Sequence, residues 1–395
     1  MPVESNAPAG PLAGIKVVDF SSFIAGCYAA QLMGDFGAEV IKVEPLQGDG
    51  ARTWGPFLAG EGRFFQGWNR NKKGIALDLR TKDGLAIAHD LVREADVVVE
   101  NYRVGVAKRL KIDYDTLREI NPRLIYLSVS AFGSRGPFAT RPAYDPVLQA
   151  MSGAARGHLR FSGKIHVCSV AVADYGAAML GMNGVVMALY HRERSGEGQH
   201  VETSLLQAVM SVQSQMLVKA LDIEEEPPLG IFPYTFFDTQ DDMIFIAAAT
   251  DKFWRLLCDI LEAPELGDNP RYATNAQRVT HTDEITAALH EYLRHKTTAE
   301  WETIFLAADL PCGSPTTYME FFETEQVAAM DMNPLVNHTA IGPMRLAGVP
   351  IHLEKTPGRI QSAPPLLGEH TDEILRALGK SAEEITSFRD KGVVR

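Results

Sequence analysis

Short apolar runs alternate with segments of helical spacing along the first 130 residues of this chain. The run GIKVVDF (residues 14–20) is rich in β-branched side chains, AAQLMGDFG follows with helical spacing, and AEVIKVE supplies a second strand. Such a unit places its strands parallel, because parallel neighbours require a crossover connection. The alternation continues through GIALDL, GLAIAHDLVREA, DVVVENY, DYDTLREI and LIYLSVS. It predicts an α/β fold whose large domain is a doubly wound, Rossmann-like parallel sheet buried on both faces.

A polar, proline-bearing break, EEEPPLG, separates this region from a part of different character and predicts a linker. Beyond it, YTFFDTQDDMIFIAAA predicts a hairpin, and helices are predicted around 251–262, 282–294 and 298–308. A chain of 395 residues is long for a single core. We therefore predict a large α/β domain whose first part is 1–224, a smaller α+β domain over 228–325, and a C-terminal segment, 326–395, that returns to the large domain.

Charge and composition limit the partners of the chain. Its formal net charge is −12, which argues against broad binding to nucleic acid or to an anionic membrane. The start, MPVESNAPAGPLAG, lacks the basic and apolar regions of a secretory signal, and no apolar run approaches the roughly 20 residues of a membrane span. The four cysteines are scattered without a CxxC pair, so reduced structural thiols are expected and a zinc site is not. We expect a cytoplasmic protein with no bound metal.

Several cofactor-binding and catalytic motifs are missing. A dinucleotide-binding turn needs glycines spaced as G-x-G-x-x-G after the first strand, whereas DFSSFIAGCYAAQ offers only Gly26. The backbone therefore cannot approach a pyrophosphate in the usual way. Neither a G-x-S-x-G elbow nor a P-loop is present, which weighs against serine hydrolases and P-loop nucleotide hydrolases.

Two basic clusters remain candidates for binding an anion. The first cluster contains Arg63, Arg70, Lys72, Lys73 and Arg80, and the second contains Arg103, Lys108 and Arg109. A solvated face and a phosphate site are equally good interpretations of the first cluster. The second cluster follows a predicted strand, and ligands of open α/β sheets bind outside the carboxyl ends of strands. Arg109 is therefore the better candidate for contacting phosphate.

One carboxylate, Asp174, lies in the otherwise uncharged segment SVAVADYGAAMLGM. The residues after it have helix composition and end in basic residues before SGEG, so Asp174 lies at or near a helix N-terminus. An N-cap is one interpretation. A catalytic carboxylate is the other, because Gly176 leaves the carboxylate uncovered and Tyr175 adds a phenol. The two roles are compatible, since a helix N-terminus would keep the anion ionised, and hence nucleophilic, at neutral pH.

A set of motifs then indicates a family. The motifs are PLAGIKVVDFSSFIAGCYAAQLMGDFGAEVIKVEP, NRNKKGIALDL, ADVVVENYRVG, INPRLIYLSVSAFG, YDPVLQAMSG, VADYGAAM and GEGQHVETSLLQA. Together they resemble the class III CoA-transferases, which include formyl-CoA and carnitine-CoA transferases and have the 2-methylacyl-CoA racemases as relatives. The resemblance is strong from about residue 11 to residue 225 and extends more weakly to LLGEHTDEIL.

The resemblance implies a mechanism centred on Asp174. In such enzymes this aspartate attacks an acyl-CoA thioester and forms an acyl–aspartyl anhydride. The CoA thiolate then attacks the anhydride and leaves an aspartyl-CoA thioester. An incoming acid takes up the CoA by the same steps in reverse. Tyr144 and Asp145 correspond to residues that line the reaction site. The family positions that contact CoA correspond to Phe23, Ile24, Leu77, Arg80, Asn101, Tyr102 and Arg109. The resemblance also implies an interlocked homodimer, with acyl-CoA and small carboxylic acids as substrates and no tightly bound cofactor.

The sequence departs from the family pattern at two places, and these departures limit which CoA-transfer reaction is expected. The segment PPLGIFPY offers only Gly230 where some members carry a run of glycines over the site, so we expect neither a glycine lid nor formyl-CoA/oxalate exchange. Pro45 and Pro142 replace basic CoA contacts of the formyl-CoA enzymes.

The motif AYD bears on the rival activities. The racemases use a histidine in GHD, whereas Tyr144 stands in its place here, and a phenol with a pKa of about 10 is a poor base. His158 and His166 lie off the motif and are interpreted as ordinary surface or core residues. CoA transfer is therefore the first interpretation, 2-methylacyl-CoA racemisation the second, and non-catalytic binding of CoA esters the third.

Overall fold

The computed structural model describes residues 10–159, 163–219, 221 and 230–395. By their contacts, these residues form two compact units. The first lies within Met1–Val218 and Glu325–Arg395, and the second within Lys219–Thr324. Residues 224–229 of the predicted linker lie outside the described residues.

Both units combine strands and helices. The strands are β1 (Lys16–Asp19), β2 (Glu39–Glu44), β3 (Phe57–Leu58), β4 (Glu61–Gly62), β5 (Lys72–Ala76), β6 (Val97–Glu100), β7 (Ile125–Ser130), β8 (His200–Ser204), β9 (Tyr234–Asp238), β10 (Met243–Ala247), β11 (Cys312–Gly313), β12 (Leu335–His338) and β13 (Gly342–Arg345). The α-helices are α1 (Ala25–Asp35), α2 (Arg63–Gln66), α3 (Lys82–Arg93), α4 (Val106–Arg109), α5 (Tyr114–Ile120), α6 (Asp145–Met151), α7 (Ala154–Gly157), α8 (Val172–Ser195), α9 (Leu205–Val212), α10 (Asp251–Ile260), α11 (Pro264–Gly267), α12 (Asn275–Thr280), α13 (Thr282–Leu293), α14 (Thr298–Ala307), α15 (Tyr318–Phe322), α16 (Glu325–Ala329), α17 (Thr371–Ala377) and α18 (Ala382–Asp390). Short 3-10 helices cover Gly50–Thr53, Ser214–Met216 and Pro270–Tyr272.

The main sheet of the first unit is parallel, in the order β5-β2-β1-β6-β7-β8. The predicted α/β fold with a parallel sheet is confirmed. The chain builds outward from β1 in one direction, then returns to place β6 on its other side. This reversal between β1 and β6 is a topological switch point, and its carboxyl edge is where open α/β sheets bind ligands.

Both faces of this sheet are buried, because alternate residues of each strand point to opposite sides. Val17 and Val97 belong to a core cluster that includes residues of α1, α8 and α9. Val18 and Val98 belong to a second cluster with residues of α3, α5, α17 and α18. The near-continuous apolar strands of the sequence are explained by these two helical layers.

Helix α8 is the longest helix among the described residues and packs against α1, α9 and β7. Small residues allow the close approach: a Cβ added at Gly181 would lie 3.0 Å from the side chain of Leu127. The helix ends at Gly196, whose φ of 78° follows a last turn containing Arg192 and Arg194, as the sequence predicts.

By length and composition alone, α8 is apolar enough to cross a membrane, with a mean hydropathy of 1.3. By this measure, the expectation that no apolar run approaches the roughly 20 residues of a membrane span is wrong for α8. Packing against the sheet explains the composition of its inner face, and Met187 and Tyr190 are exposed on its outer face.

The second unit contains the antiparallel sheet β11-β10-β9. The predicted hairpin forms as β9 and β10, in which Phe237 pairs with Ile244. Its core gathers buried side chains from the hairpin and from helices α10, α13 and α14, including Trp254 and Leu289. In the first unit, the C-terminal residues Val393 and Val394 are buried against the main sheet.

Candidate active site

The switch point brings together residues from the ends of two neighbouring strands. Phe23 and Ile24 follow β1, and Asn101 and Tyr102 follow β6. The Asn101 side chain accepts a hydrogen bond from the Ser22 amide at 2.8 Å and donates to the Ser22 carbonyl oxygen at 2.7 Å. Asn101 therefore joins the two strand ends into one surface.

The loop after β1 has a constrained backbone. Phe23 has a φ of 60°, in the left-handed region that side chains other than glycine rarely adopt. Its amide donates to both carboxylate oxygens of Asp49, at 3.3 and 3.2 Å, and the same carboxylate caps Ala51. Asp49 also forms a buried ion pair with Lys42 at 3.2 Å. These contacts hold Phe23 in a conformation that the residue alone would avoid.

The first basic cluster is divided among separate structural roles. Arg70 pairs with Asp35 and Lys72 with Asp19, and all four side chains are buried. For Arg70 and Lys72, neither the solvated face nor the phosphate site predicted from the sequence is correct, because both cations form ion pairs with carboxylates inside the core. A buried cation requires a carboxylate of this kind beside it.

The remaining cations of that cluster lie at the surface. Lys73 pairs with Glu39 and Glu373, and Arg80 pairs with Asp78 through two nitrogens. Arg63 is exposed in α2. Arg80 would therefore have to leave or share Asp78 to contact a phosphate.

Arg109, in contrast, is available. It is the exposed last residue of α4, and within the described parts of the chain its guanidinium has no hydrogen bond or ion pair. Two other predicted CoA contacts are less accessible. Leu77 is buried and pairs with Val394 through the backbone, and burial raises the pKa of Tyr102 to about 12.

Asp174 is the third residue of α8, and the N-cap position belongs to Ala171, which provides no side-chain hydrogen bond. The N-cap interpretation of Asp174 is therefore wrong. The free amides at the start of α8 are satisfied by Asp145, whose Oδ2 accepts from the Ala173 amide at 2.6 Å and from the Asp174 amide at 3.2 Å. Asp145 thus caps α8 from the first residue of helix α6.

The Asp174 carboxyl is partly buried and has an unusual acidity. Burial and, secondarily, the nearby charge of Asp145 raise its pKa to about 7. The sequence expects the helix N-terminus to keep Asp174 ionised at neutral pH, whereas burial and the charge of Asp145 oppose its ionisation. The ionised form is a more basic carboxylate than an ordinary aspartate, which favours nucleophilic attack.

Gln149 supports Asp145 and was not identified from the sequence. Its Nε2 donates to Asp145 Oδ1, while its Oε1 accepts from the Cys168 amide at 2.7 Å. The buried amide therefore ties the segment before α8 to the carboxylate that caps α8. The sequence could have indicated this contact, because Asp145 and Gln149 are four residues apart in α6 and such side chains share one helix face.

Two tyrosines flank the two aspartates. Tyr144 is exposed, and its ring centroid lies 6.2 Å from that of Phe23. The Tyr175 hydroxyl accepts a hydrogen bond from Trp68 Nε1 at 2.9 Å, and burial raises the pKa of Tyr175. Trp68 was also missed, because nothing local in its sequence indicates a partner that lies so far along the chain.

No group of three or more His, Cys, Asp or Glu side chains that could hold a metal ion occurs within residues 10–159, 163–219, 221 and 230–395. The chemically active groups placed together here are a carboxylate with a raised pKa, its capping carboxylate, an amide and two phenols.

A model of the family described as CoA-transferase family III matches residues 12–371. The chain belongs to this family. The resemblance that the sequence motifs indicated is thereby confirmed.

Named relatives cover nearly the whole chain. A succinate–glutarate CoA-transferase of Agrobacterium fabrum is 35% identical over 93% of this chain and 96% of its own length. An acetyl-CoA:oxalate CoA-transferase of Acetobacter aceti is 34% identical over 82% of this chain and 86% of its own length. Both names describe transfer of CoA to or from a small dicarboxylic acid.

Solved structures share the fold. A CAIB/BAIF family protein from Brucella suis superimposes with a TM-score of 0.80 at 31% identity, covering 94% of this chain and 100% of that one. The protein Rv3272 of Mycobacterium tuberculosis gives a TM-score of 0.82 at 31% identity, covering 93% and 99%. The parallel sheet and its switch point therefore belong to a family III CoA-transferase.

Proposed function

We propose that the protein moves CoA between an acyl-CoA thioester and a free carboxylic acid, with Asp174 as the nucleophile. The observation that carries this proposal is the environment of Asp174. Its carboxyl is partly buried, has a pKa of about 7, and lies on a helix end that Asp145 fixes. The names of the relatives, which describe CoA transfer among small acids, support the reaction class.

The chemistry follows from a carboxylate acting on a thioester. Ionised Asp174 attacks the thioester carbonyl carbon, the C–S bond breaks, and CoA leaves as a thiolate from an acyl–aspartyl anhydride. The thiolate then attacks the aspartyl carbonyl and releases the first acid as a carboxylate, leaving an aspartyl-CoA thioester. An incoming carboxylate repeats these steps in reverse. Each intermediate remains activated, so water must be excluded for the thioester energy to be retained.

The switch point supplies a binding surface for CoA. Phe23, Ile24, Asn101 and Tyr102 lie at the carboxyl ends of β1 and β6, with Leu77 and Arg80 after β5. We assign phosphate binding first to Arg109, whose guanidinium is exposed and unpaired among the described residues. Coenzyme A enters as a substrate, and the proposal includes no tightly bound cofactor or metal.

The exposed apolar side chains of α8 and of the segment after α9 support the proposed interlocked homodimer. Met187 and Tyr190 are 70% and 69% exposed in the single chain, and Val218 and Leu221 are also exposed. Met187 and Tyr190 are three residues apart and share one face of α8, and exposed apolar side chains grouped in this way are typical of a protein interface. We place the protein in the cytoplasm and propose no nucleic acid or membrane as a partner.

Trapping of the aspartyl intermediate tests the assignment. The unmodified protein, given an acyl-CoA and hydroxylamine, should accumulate a hydroxamate on the peptide that contains Asp174, and Asp174→Ala should accumulate none. Peptide mass spectrometry gives the readout, with Asp115→Ala, an exposed aspartate of α5, as the matched control. Absence of the hydroxamate in the unmodified protein would remove the proposal. Exchange of a Cα proton of 2-methylacyl-CoA in deuterium oxide, seen by NMR, would promote racemisation in its place.

A further inference from the structure

Aromatic side chains form a continuous series from Tyr175, the residue after Asp174, to Tyr144, the residue before Asp145. Trp68 is hydrogen-bonded to Tyr175, the residue after Asp174. The ring centroids of Trp68 and Phe64 are 6.0 Å apart, those of Phe64 and Trp54 6.4 Å, those of Trp54 and Phe23 4.8 Å, and those of Phe23 and Tyr144 6.2 Å. Tyr144 precedes Asp145, whose carboxylate accepts from the Asp174 amide. We call these rings (Phe23, Trp54, Phe64, Trp68, Tyr144 and Tyr175) the aromatic arc.

The aromatic arc has a buried side and an open side. Trp68 and Tyr175 pack with Phe65, Cys27 and Ala51 in one apolar cluster. Trp54, Phe64 and Tyr144 remain 46%, 44% and 60% exposed. Exposed aromatic side chains close to a reactive carboxylate are suited to binding an apolar part of a ligand.

We propose that the aromatic arc binds the acyl group of the thioester and selects acyl groups that carry an aromatic ring. This inference rests on the proposed function of Asp174. Flat aromatic groups fit the available ring faces and edges, because stacked and edge-to-face pairs form at centroid separations of about 4.5–7 Å. The rings of the arc already use this spacing among themselves, so a ligand ring can extend the series.

The position of the arc separates the acyl group from the other aromatic part of the substrate, the adenine of CoA. The nucleophile must reach the thioester carbonyl, and the acyl group is attached directly to that carbon. The adenine lies at the far end of the pantetheine arm. Tyr175 adjoins Asp174 in α8, and Tyr144 adjoins Asp145, which accepts from the Asp174 amide. The acyl group and the end of the pantetheine arm next to it, which reaches Phe23, are therefore the parts of the substrate that the rings meet.

The buried and half-buried cations near the arc, Lys42 and Arg52, do not favour a second carboxylate in the acyl group, and the titration with succinyl-CoA tests the exposed Arg63 next to Phe64. Arg52 stacks on Phe65 at 3.6 Å and pairs with Glu44 and Glu61. Lys42 pairs with Asp49. Side chains already paired in the core cannot neutralise a charged acyl group without leaving a carboxylate unpaired, which is costly.

Binding measurements with a protein that cannot react test this inference independently of catalysis. In Asp174→Asn, calorimetric titration should give benzoyl-CoA an affinity about tenfold above those of succinyl-CoA and CoA. Trp54→Leu and Phe64→Leu keep an apolar side chain but remove the ring. Each should weaken benzoyl-CoA about three- to tenfold and leave CoA and succinyl-CoA unchanged. Phe138→Leu is the matched control, since Phe138 is also 44% exposed and contacts Phe132 outside the arc.

Three results would overturn the inference. Equal weakening of free CoA by Trp54→Leu would assign the rings to adenine. Tighter binding of succinyl-CoA than of benzoyl-CoA would assign the site to a charged acyl group. A change of oligomeric state in Trp54→Leu without a change of affinity would make the rings a contact between chains. If the aryl preference holds but no ester yields a hydroxamate in the unmodified protein, the binding of aromatic acyl groups stands and the proposed function fails.

Discussion

At the scale of single residues, Asp174 is held in an environment that opposes its ionisation. Burial and the charge of Asp145 raise its pKa to about 7, against an ordinary value of 3.8. Ionised Asp174 therefore destabilises the folded chain while making the carboxylate more basic. Functional groups commonly retain such an unfavourable environment because the reaction depends on it.

The sign of the resulting pH dependence can be tested with Asp174→Asn. Between about pH 4 and pH 7 the folded chain keeps the proton that the unfolded chain has released, so its free energy of unfolding falls as pH rises through this window. Asp174→Asn has no carboxyl to ionise, so its free energy of unfolding does not fall in this way. At pH 8 that free energy should exceed the value for the unmodified protein by no more than about 4 kcal/mol. Urea unfolding at pH 5 and pH 8 measures the difference, with Asp115→Asn as an exposed control. A difference that does not grow between the two pH values would contradict the raised pKa.

At the scale of elements, two strand ends and one short helix contribute residues with different roles to the proposed CoA-binding surface. The side-chain amide of Asn101, at the end of β6, is hydrogen-bonded to the backbone of Ser22 after β1. Arg109 at the end of α4 has no such contact among the described residues. The resemblance to the family treats both residues as ligand contacts, whereas the structure also gives Asn101 a structural role.

Alanine variants of these two residues should separate the roles. Asn101→Ala removes two partly buried hydrogen bonds and should lower the free energy of unfolding by about 1–3 kcal/mol without any ligand. Arg109→Ala should change that free energy by less than about 0.5 kcal/mol and weaken CoA about ten- to a hundredfold. Chemical denaturation and titration with CoA provide the two measurements. An unchanged stability for Asn101→Ala would make Asn101 a ligand contact alone, and an unchanged CoA affinity for Arg109→Ala would place Arg109 on a solvated face.

At the scale of the whole molecule, α8 carries both the proposed nucleophile and an exposed apolar face. Its inner side packs on the sheet and on α1, and its outer side presents Met187 and Tyr190. The same helix is apolar enough to cross a membrane by composition. A second copy of the chain over the outer face, as proposed, would account for these exposed residues without a membrane.

Met187→Glu places a charge on that outer face and should shift the protein from dimer to monomer, because a buried unpaired charge opposes association. Sedimentation velocity over a range of concentrations measures the shift, and Glu193→Gln on the same helix is the control. A dimer that persists with unchanged affinity would place the interface elsewhere. A monomer in both the variant and the unmodified protein would remove the homodimer from the proposal.

The sequence by itself determined the local elements and the direction of the strands. Apolar periodicity depends on neighbours a few residues apart, and crossover connections through helices force parallel pairing. The motif VADYG also singled out Asp174. The acidity of Asp174 could not be predicted, because a pKa depends on burial and on charges brought close by folding.

Only the tertiary structure decided which polar groups became partners. Asp145 caps α8 from another helix, Lys72 pairs with Asp19 inside the core, and Trp68 reaches Tyr175 from a distant loop. The interpretations of Lys72 and of Asp174 as an N-cap were wrong, because composition does not show whether a charged side chain is buried or exposed. Burial makes an unpaired charge or amide costly, so these partnerships are set by three-dimensional packing rather than by spacing along the chain.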